Sequence, residues 1–128
     1  MSEMSDYLEN ALLNHVLRNT AMTSPTTVYV ALSTADPTDA GSGLAEPSGN
    51  GYARTAVTFN APSGGVCDNQ AVTFPAATGA WGTLTHFAIM DASSGGNMLY
   101  HSPLNASKAV DDGDTAEFAA GDLTVTHA

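Results

Sequence analysis

The chain has 128 residues, of which 3 are basic and 13 are acidic, so its formal net charge is −10. This length suits one domain with one core. Proteins bind nucleic acid through clustered Lys and Arg that displace counterions from phosphates, so the charge argues against DNA or RNA as a partner and against anionic membranes. No apolar run approaches the roughly 20 residues that a membrane-spanning helix needs.

The N-terminal segment MSEMSDYLEN is acidic and lacks the basic-then-apolar order of a secretory signal. We therefore expect synthesis in a cytoplasm, and we expect residues 1–5 to form a flexible N-terminal arm. Cys67 is the one cysteine, so it cannot form an internal disulfide. It is expected to be a small buried hydrophobe, because free cysteines are usually buried.

The next segment, residues 6–20, has the period of an amphipathic helix. Asp6 and Glu9 fit a capping box and lie at the positive end of the helix dipole. Tyr7, Leu8 and Leu12 are expected to face the domain core, with a twin helix as the alternative. The predicted apolar stripe consists of Leu8, Leu12, Leu13, Val16 and Leu17.

After Ser24-Pro25 the pattern changes to short runs typical of strands, separated by Gly, Pro, Asn and Asp. Strands are predicted at Val28–Ser33, Ala53–Phe59, Ala71–Phe74, Leu84–Met90, Met98–His101, Thr115–Phe118 and Leu123–Thr126. Many short strands with frequent turns and one helix predict a mainly β protein. The expected architecture is a single domain over residues 1–128, a β-sandwich of jelly-roll or Greek-key type with one N-terminal amphipathic helix.

Turn residues lie between these runs. Residues 95–97 (GGN) and residues 111–114 (DDGD) are each short enough to join two antiparallel strands, with Gly113 at a positive φ. Pro75 and Pro103 are expected at strand ends, because proline cannot donate to a sheet ladder. Trp81, the only tryptophan, is expected to anchor the core.

Residues 34–50 have almost no large apolar side chain and are rich in Pro, Gly, Ser and acids. A loop of this length in a small domain is commonly either solvated or functional. We predict a long loop or arm here. A solvated loop and one that orders against a neighbouring subunit both remain open.

Few residues suggest chemistry. His15, His86, His101 and His127 have no zinc-ligand spacing, and His86 suits a packed core or interface position. Asp36 with Asp39, or the carboxylates of DDGD, could surround a calcium ion, although DDGD is also typical of an exposed turn. The chain has no G-x-S-x-G elbow and no phosphate-binding glycine loop. We predict no catalytic, cofactor-binding or metal site.

The few basic and aromatic side chains outside these motifs suit structural roles. Arg54 is expected to pair with a carboxylate, within the domain in preference to across an interface. Tyr29, Tyr52 and Tyr100 lie in or beside predicted strands, so each can pack internally or serve at an interface.

Five segments resemble, in order, small virion proteins of tailed bacteriophages, a group often labelled tail-fibre-like and including capsid decoration or cement proteins. The resemblance covers nearly the whole chain and implies a structural role without catalytic residues. The segments are YLENALLNHVLRNT (Tyr7–Thr20), TTVYVALSTADPTDAG (Thr26–Gly41), GNGYAR (Gly49–Arg54), ATGAWGTLTHFAIMDA (Ala77–Ala92) and GGNMLYH (Gly95–His101).

From this resemblance we expect a non-enzymatic capsid cement protein that binds the major capsid protein on the outer surface of the head. The acidic charge suits a soluble protein that does not bind packaged DNA. Symmetric oligomers are common, and a homotrimer is expected. The alternative is a tail, fibre or baseplate component. A third possibility is an enzyme or a carbohydrate-binding module, although fold alone does not establish such an activity.

Overall fold

The computed structural model describes residues 3–127, and this part of the chain is mainly β with one N-terminal helix. Both features confirm the sequence prediction. Within residues 3–127, no helix is long and apolar enough to cross a lipid bilayer. The elements are β1 (Glu3–Met4), α1 (Asp6–Leu17), β2 (Val28–Ser33), β3 (Thr55–Val57), β4 (Val66–Cys67), β5 (Val72–Thr73), β6 (Gly82–Met90), β7 (Met98–Val110), β8 (Glu117–Phe118) and β9 (Val125–Thr126).

The main sheet has five antiparallel strands in the order β1-β7-β6-β2-β3. Strands β4 and β9 form one two-stranded ribbon, and β5 and β8 form another. The β5–β8 ribbon shares a hydrophobic core with the main sheet, because Val72 lies in the same cluster as Val30 and Phe118 packs against it. The finer prediction, a sandwich of jelly-roll or Greek-key type, stays a prediction.

The larger core lies on one face of the main sheet, where β2 and β6 contribute large apolar side chains that alternate with small ones. Trp81 is 4% exposed and donates from Nε1 to the backbone oxygen of Asn50 at 2.8 Å. The Tyr52 ring meets the Trp81 ring edge-on, with ring centroids 5.3 Å apart. The predicted role of Trp81 as a core anchor is therefore confirmed.

The helix begins one residue earlier than the capping-box prediction requires. Ser5 is the N-cap: its hydroxyl accepts from the Leu8 amide at 3.1 Å and donates to the Met98 backbone oxygen. A serine accepts this bond as well as an aspartate does, and Asp6 becomes the first residue of the helix. The helix ends at Leu17, short of the predicted residue 20.

The N-terminal arm also differs from the prediction of flexibility over residues 1–5. Glu3 and Met4 form β1 and pair with His101 and Tyr100 of β7, and the Ser5 amide donates to the Leu99 oxygen at 2.9 Å. Met1 and Ser2 lie outside the described residues. The described part of the arm is therefore an edge strand of the sheet.

Residues 34–50 contain no regular element, as predicted, but they do not extend as an arm. The Thr34 amide donates to the Ala45 oxygen at 3.0 Å, which closes residues 34–45 into a compact loop. Leu44 packs on the second face of the sheet, against the small cluster that contains Ala31 and Met98. We call residues 34–50 the covering loop, because they close this face of the sheet.

Both predicted turns are present, but the prediction that the DDGD turn joins two paired strands is wrong. Residues 91–97, which include the predicted turn at 95–97, join β6 to β7 as an antiparallel hairpin. Residues 111–114 form a turn in which the Asp114 amide donates to the Asp111 oxygen at 3.0 Å and Gly113 has a φ of 88°. The strands on either side of this second turn do not pair with each other, because β8 pairs with β5.

Strand boundaries differ most in β7, which runs far beyond the predicted end at His101. Pro103 therefore lies inside a strand and not at its end, opposite His86 and next to a break in register. Leu84 pairs with Lys108 while His86 pairs with Pro103, so β7 has an outward bulge at residues 104–107. Proline fits here because a bulge interrupts the hydrogen-bond ladder. The predicted strands at residues 53–59, 71–74, 115–118 and 123–126 are shorter than expected, at two or three residues each.

The Asn69 side chain makes four hydrogen bonds, three of them to backbone groups of residues 119–123. It is fully buried, and its Oδ1 accepts from the amides of Gly121 and Leu123 at 3.0 and 2.9 Å. Its Nδ2 donates to the oxygens of Gln70 and Ala119. A buried polar group that loses its partners costs free energy.

We predict that Asn69→Ala lowers the free energy of unfolding by roughly 2–4 kcal/mol, because buried backbone groups lose their partners. Urea denaturation followed by circular dichroism measures this. Gln70→Ala, a change at the exposed neighbouring side chain, is the matched control and should shift stability by less than about 0.5 kcal/mol. Equal effects of the two substitutions would contradict the structural role of Asn69.

Candidate interaction surface

The last turns of α1 project from the domain. Leu8 is buried, Leu12 is half-buried, and the other apolar members of the predicted stripe are exposed. Leu13, Val16 and Leu17 are 56%, 71% and 73% exposed. The prediction that the helix faces the core is therefore correct for Leu8 and Leu12, whereas Tyr7 is 42% exposed.

The three exposed side chains share one face of the helix. Val16 and Leu17 follow Leu13 by three and four residues, so both side chains are neighbours of Leu13 on the helix surface. We call Leu13, Val16 and Leu17 the helix patch. Scattered apolar residues on a surface are ordinary, but adjacent large ones indicate a contact site.

The segment around the helix patch carries no acidic residue, although the chain as a whole is strongly acidic. Between Glu9 and Asp36 the sequence contains no Asp or Glu, and Arg18 is the one basic residue there apart from His15. Like charges that meet at an interface oppose association. Glu9, one turn before Leu13, is the one carboxylate next to the helix patch along the chain, so two acidic molecules that meet there bring few carboxylates together.

The covering loop is attached to the domain by a half-buried ion pair. Arg54 donates from Nε and Nη2 to the two carboxylate oxygens of Glu46, at 2.9 and 2.8 Å. Its Nη1 donates to the backbone oxygens of Ala92 and Gly95, in the hairpin between β6 and β7. The predicted internal role of Arg54 is confirmed.

Tyr52 completes this attachment. Its hydroxyl donates to Glu46 Oε1 at 2.7 Å and accepts from the Leu32 amide at 3.1 Å. Burial raises the pKa of Tyr52 above its usual range, and the hydrogen bond to Glu46 raises it further. Burial alone would raise the pKa of Glu46, but the hydrogen bonds from Arg54 and Tyr52 and the charge of Arg54 outweigh it and lower that pKa.

The four histidines have separate surroundings. His15 Nδ1 accepts from the Met22 amide at 3.2 Å on the exposed side of the helix. His86 is half-buried and bonds the Thr85 hydroxyl, and His127 bonds the Tyr100 hydroxyl. Burial raises the pKa of Tyr100. His101 is buried and lies against carboxylates of two other segments.

The residues that sequence analysis singled out as possible cation ligands have different outcomes. Asp36 and Asp39 both approach His101, and Glu3 joins them from β1. The DDGD carboxylates instead belong to an exposed turn, where Asp114 Oδ2 accepts from the Asp111 amide at 2.9 Å. Cys67 is half-buried and donates to the Asn60 oxygen, so it is less buried than predicted. No spacing in the sequence indicated Glu3 and His101, because three distant segments bring them together.

A cleft of about 540 Å³ opens beneath the bulge of β7. Phe87 and Phe118 form part of its wall, with ring centroids 6.0 Å apart, and Lys108 and Glu117 line it as well. Its described lining residues include no histidine and no cysteine. The described lining of the cleft therefore contains no Ser–His or Cys–His pair of the kind used in nucleophilic catalysis.

A family model described as Podophage GP4 fiber I protein gp80 matches residues 3–126, which is almost the whole chain. No curated protein matches the chain. The match supports the resemblance to tail-fibre-like phage virion proteins that the sequence motifs indicate.

We predict that Glu46→Gln lowers the free energy of unfolding at pH 7 by roughly 2–3 kcal/mol, because it leaves the Arg54 guanidinium without its counter-charge. The folded-state pKa of Glu46 is lower than its ordinary value of 4.5. The pair therefore stabilises the fold fully above about pH 4.5, and this stabilisation is lost as the pH falls through the folded-state pKa.

The difference between wild type and Glu46→Gln should consequently shrink as the pH is lowered from 6 towards 3. Chemical denaturation across this range measures it. Glu117→Gln, at an exposed position of β8, is the control and should change little. A difference that stays constant across the range would contradict the assignment to the Glu46 charge.

Proposed function

Since this chain belongs to the family of the podophage GP4 fiber I protein gp80, we propose that it is a non-enzymatic structural component of a phage fibre. The family match carries this proposal. It supports the tail or fibre component, which sequence analysis gave as the alternative, better than it supports a capsid cement protein. The outer capsid surface and the major capsid protein stay predictions without further support.

The helix patch supports a role in assembly. A structural protein must make repeated contacts with its neighbours, and aliphatic side chains release water when they are covered. Full burial of a Val or Leu side chain contributes roughly 1.5–3 kcal/mol. Covering the helix patch would therefore contribute several kcal/mol to an interface, which then offsets the entropy cost of association.

The partner that fits the helix patch is a second copy of this chain. Glu9 is the one carboxylate within a helical turn of the patch along the chain, and residues 10–35 add none, so two molecules of net charge −10 bring few carboxylates together there. Around a threefold axis the same patch from each of three copies meets at the axis, so one apolar surface serves all three molecules. We therefore propose that the protein assembles through α1, with a homotrimer as the expected form.

Location in the particle tests the fibre proposal directly. Antibodies raised against the purified chain, applied to intact virions with gold labels, should mark appendages of the tail when viewed by electron microscopy. Virions of a deletion mutant provide the control for antibody specificity. Label over the head surface at high copy number would overturn the fibre proposal in favour of the cement protein.

We predict that the triple substitution Leu13→Gln, Val16→Gln and Leu17→Gln weakens self-association by at least about tenfold, because it removes the apolar area that the contact covers. Gln retains good helix propensity, so the helix should persist by circular dichroism. Sedimentation equilibrium over a concentration series measures the association constant.

Gln70→Ala is the control, because Gln70 is exposed and lies outside α1. It should associate like the wild type. A wild type that remains monomeric throughout the series, or a triple variant that associates equally well, would contradict assembly through the helix patch.

A further inference from the structure

We propose that Glu3, Asp39 and His101 form a binding site for a divalent transition-metal ion of the zinc class. The three side chains come from β1, the covering loop and β7, so they meet only in the folded chain. One ligand atom from each lies within 4.8 Å of the other two. This site is independent of the proposed role in a fibre.

The geometry places the imidazole at the bottom of the site. His101 is 3% exposed, and its Nε2 lies 2.8 Å from Asp39 Oδ1 and 3.6 Å from Glu3 Oε2. The side chains of Glu3 and Asp39 are more than half exposed. A fixed nitrogen faces two carboxylates that can adjust, and the exposed side gives an ion a path of entry.

These distances suit a small cation. In a tetrahedral zinc site with bonds of about 2.0–2.2 Å, ligand atoms lie roughly 3.3 Å apart. The two separations from Nε2 lie on either side of that value, and the exposed carboxylates of Glu3 and Asp39 can shift to meet an ion. Three protein ligands leave the remaining position to water.

The backbone fixes the histidine in this position. His101 lies opposite Glu3 on one side and opposite Ala88 on the other, in the register of the sheet. Ala88 and its cross-strand neighbour Ala31 are fully buried and small. The covering loop can therefore lie close to this face of the sheet and bring Asp39 against the imidazole.

The second ring nitrogen of His101 faces a further carboxylate. Nδ1 of His101 lies 3.9 Å from Asp36 Oδ1. A histidine that binds a metal commonly directs its other nitrogen towards a carboxylate, which fixes the ring orientation and increases the basicity of the ligand. Asp36, which is 63% exposed, would reach this role by moving about 1 Å closer to Nδ1.

The ligand types select the class of ion. Calcium and magnesium prefer oxygen ligands alone, whereas imidazole suits zinc and neighbouring transition ions. A bound ion would take the place of the hydrogen bond between His101 Nε2 and Asp39 Oδ1. The bound ion would connect β1, the covering loop and β7 and would stabilise the folded chain.

Zinc chloride titrated into the full chain, after removal of metal with EDTA, tests the site by calorimetry. We expect saturable binding of one zinc ion per chain, a rise in the melting temperature, and no comparable rise with calcium or magnesium. In nitrogen-15 spectra the Nε2 resonance of His101 should shift, whereas those of the other three histidines should not.

Glu3→Gln and Asp39→Asn should each weaken zinc binding by about tenfold or more, while both variants remain folded because the two carboxylates lie at the surface. Asp112→Asn, in the exposed DDGD turn, is the matched control and should bind zinc like the wild type. Absence of zinc binding, equal affinity in all three variants, or a shift at another histidine would overturn the proposal.

Discussion

The structure depends on covering both faces of its central strands. Strands β2 and β6 place large apolar side chains on the face shared with the ribbons and small ones, Ala31 and Ala88, on the other. A strand buried on both faces needs a second layer. Among residues 3–127, the covering loop is the segment that packs there, and small side chains let its backbone approach the sheet.

A loop with so few apolar residues cannot be held by hydrophobic burial alone, so polar contacts hold it. The Ser33 hydroxyl accepts from the Ala45 amide, Arg54 binds Glu46, and Asp39 meets His101. Two of these contacts lie side by side at Ala45 and Glu46 and the third lies at Asp39, and they join the loop to β2, to Arg54 and to β7. The charged side chains of Glu46, Arg54 and Asp39 therefore help to hold the second layer on the sheet.

The sequence predicts the elements more accurately than the contacts between them. Strand β2 matches its predicted bounds because the apolar run VYVAL ends at Ser33 and Thr34, and such a pattern depends on local residues. The extension of β7 through Pro103 does not follow from local rules, because a bulge accommodates the proline only when β6 lies beside it.

The helix stripe is misleading for a similar reason: periodicity shows which side chains share a face, and tertiary packing decides which turns are covered. The approach of Glu3, Asp39 and His101 needs three segments, and only the carboxylate pair in the loop was visible in the sequence.

The helix shows how these constraints lead to assembly. Its first turn is fixed to β7 through Ser5, and Leu8 enters the core, whereas the last turn is held on one side by the bond from the Met22 amide to His15 and leaves its apolar side chains exposed. An isolated helix of 12 residues is marginal in water, because packing of one face provides most of its stability. The last turn of α1 therefore gains little from its own domain and exposes Val16 and Leu17 to solvent. A second copy that covers this turn would both bury the apolar side chains and stabilise the helix, so assembly and local order would reinforce each other.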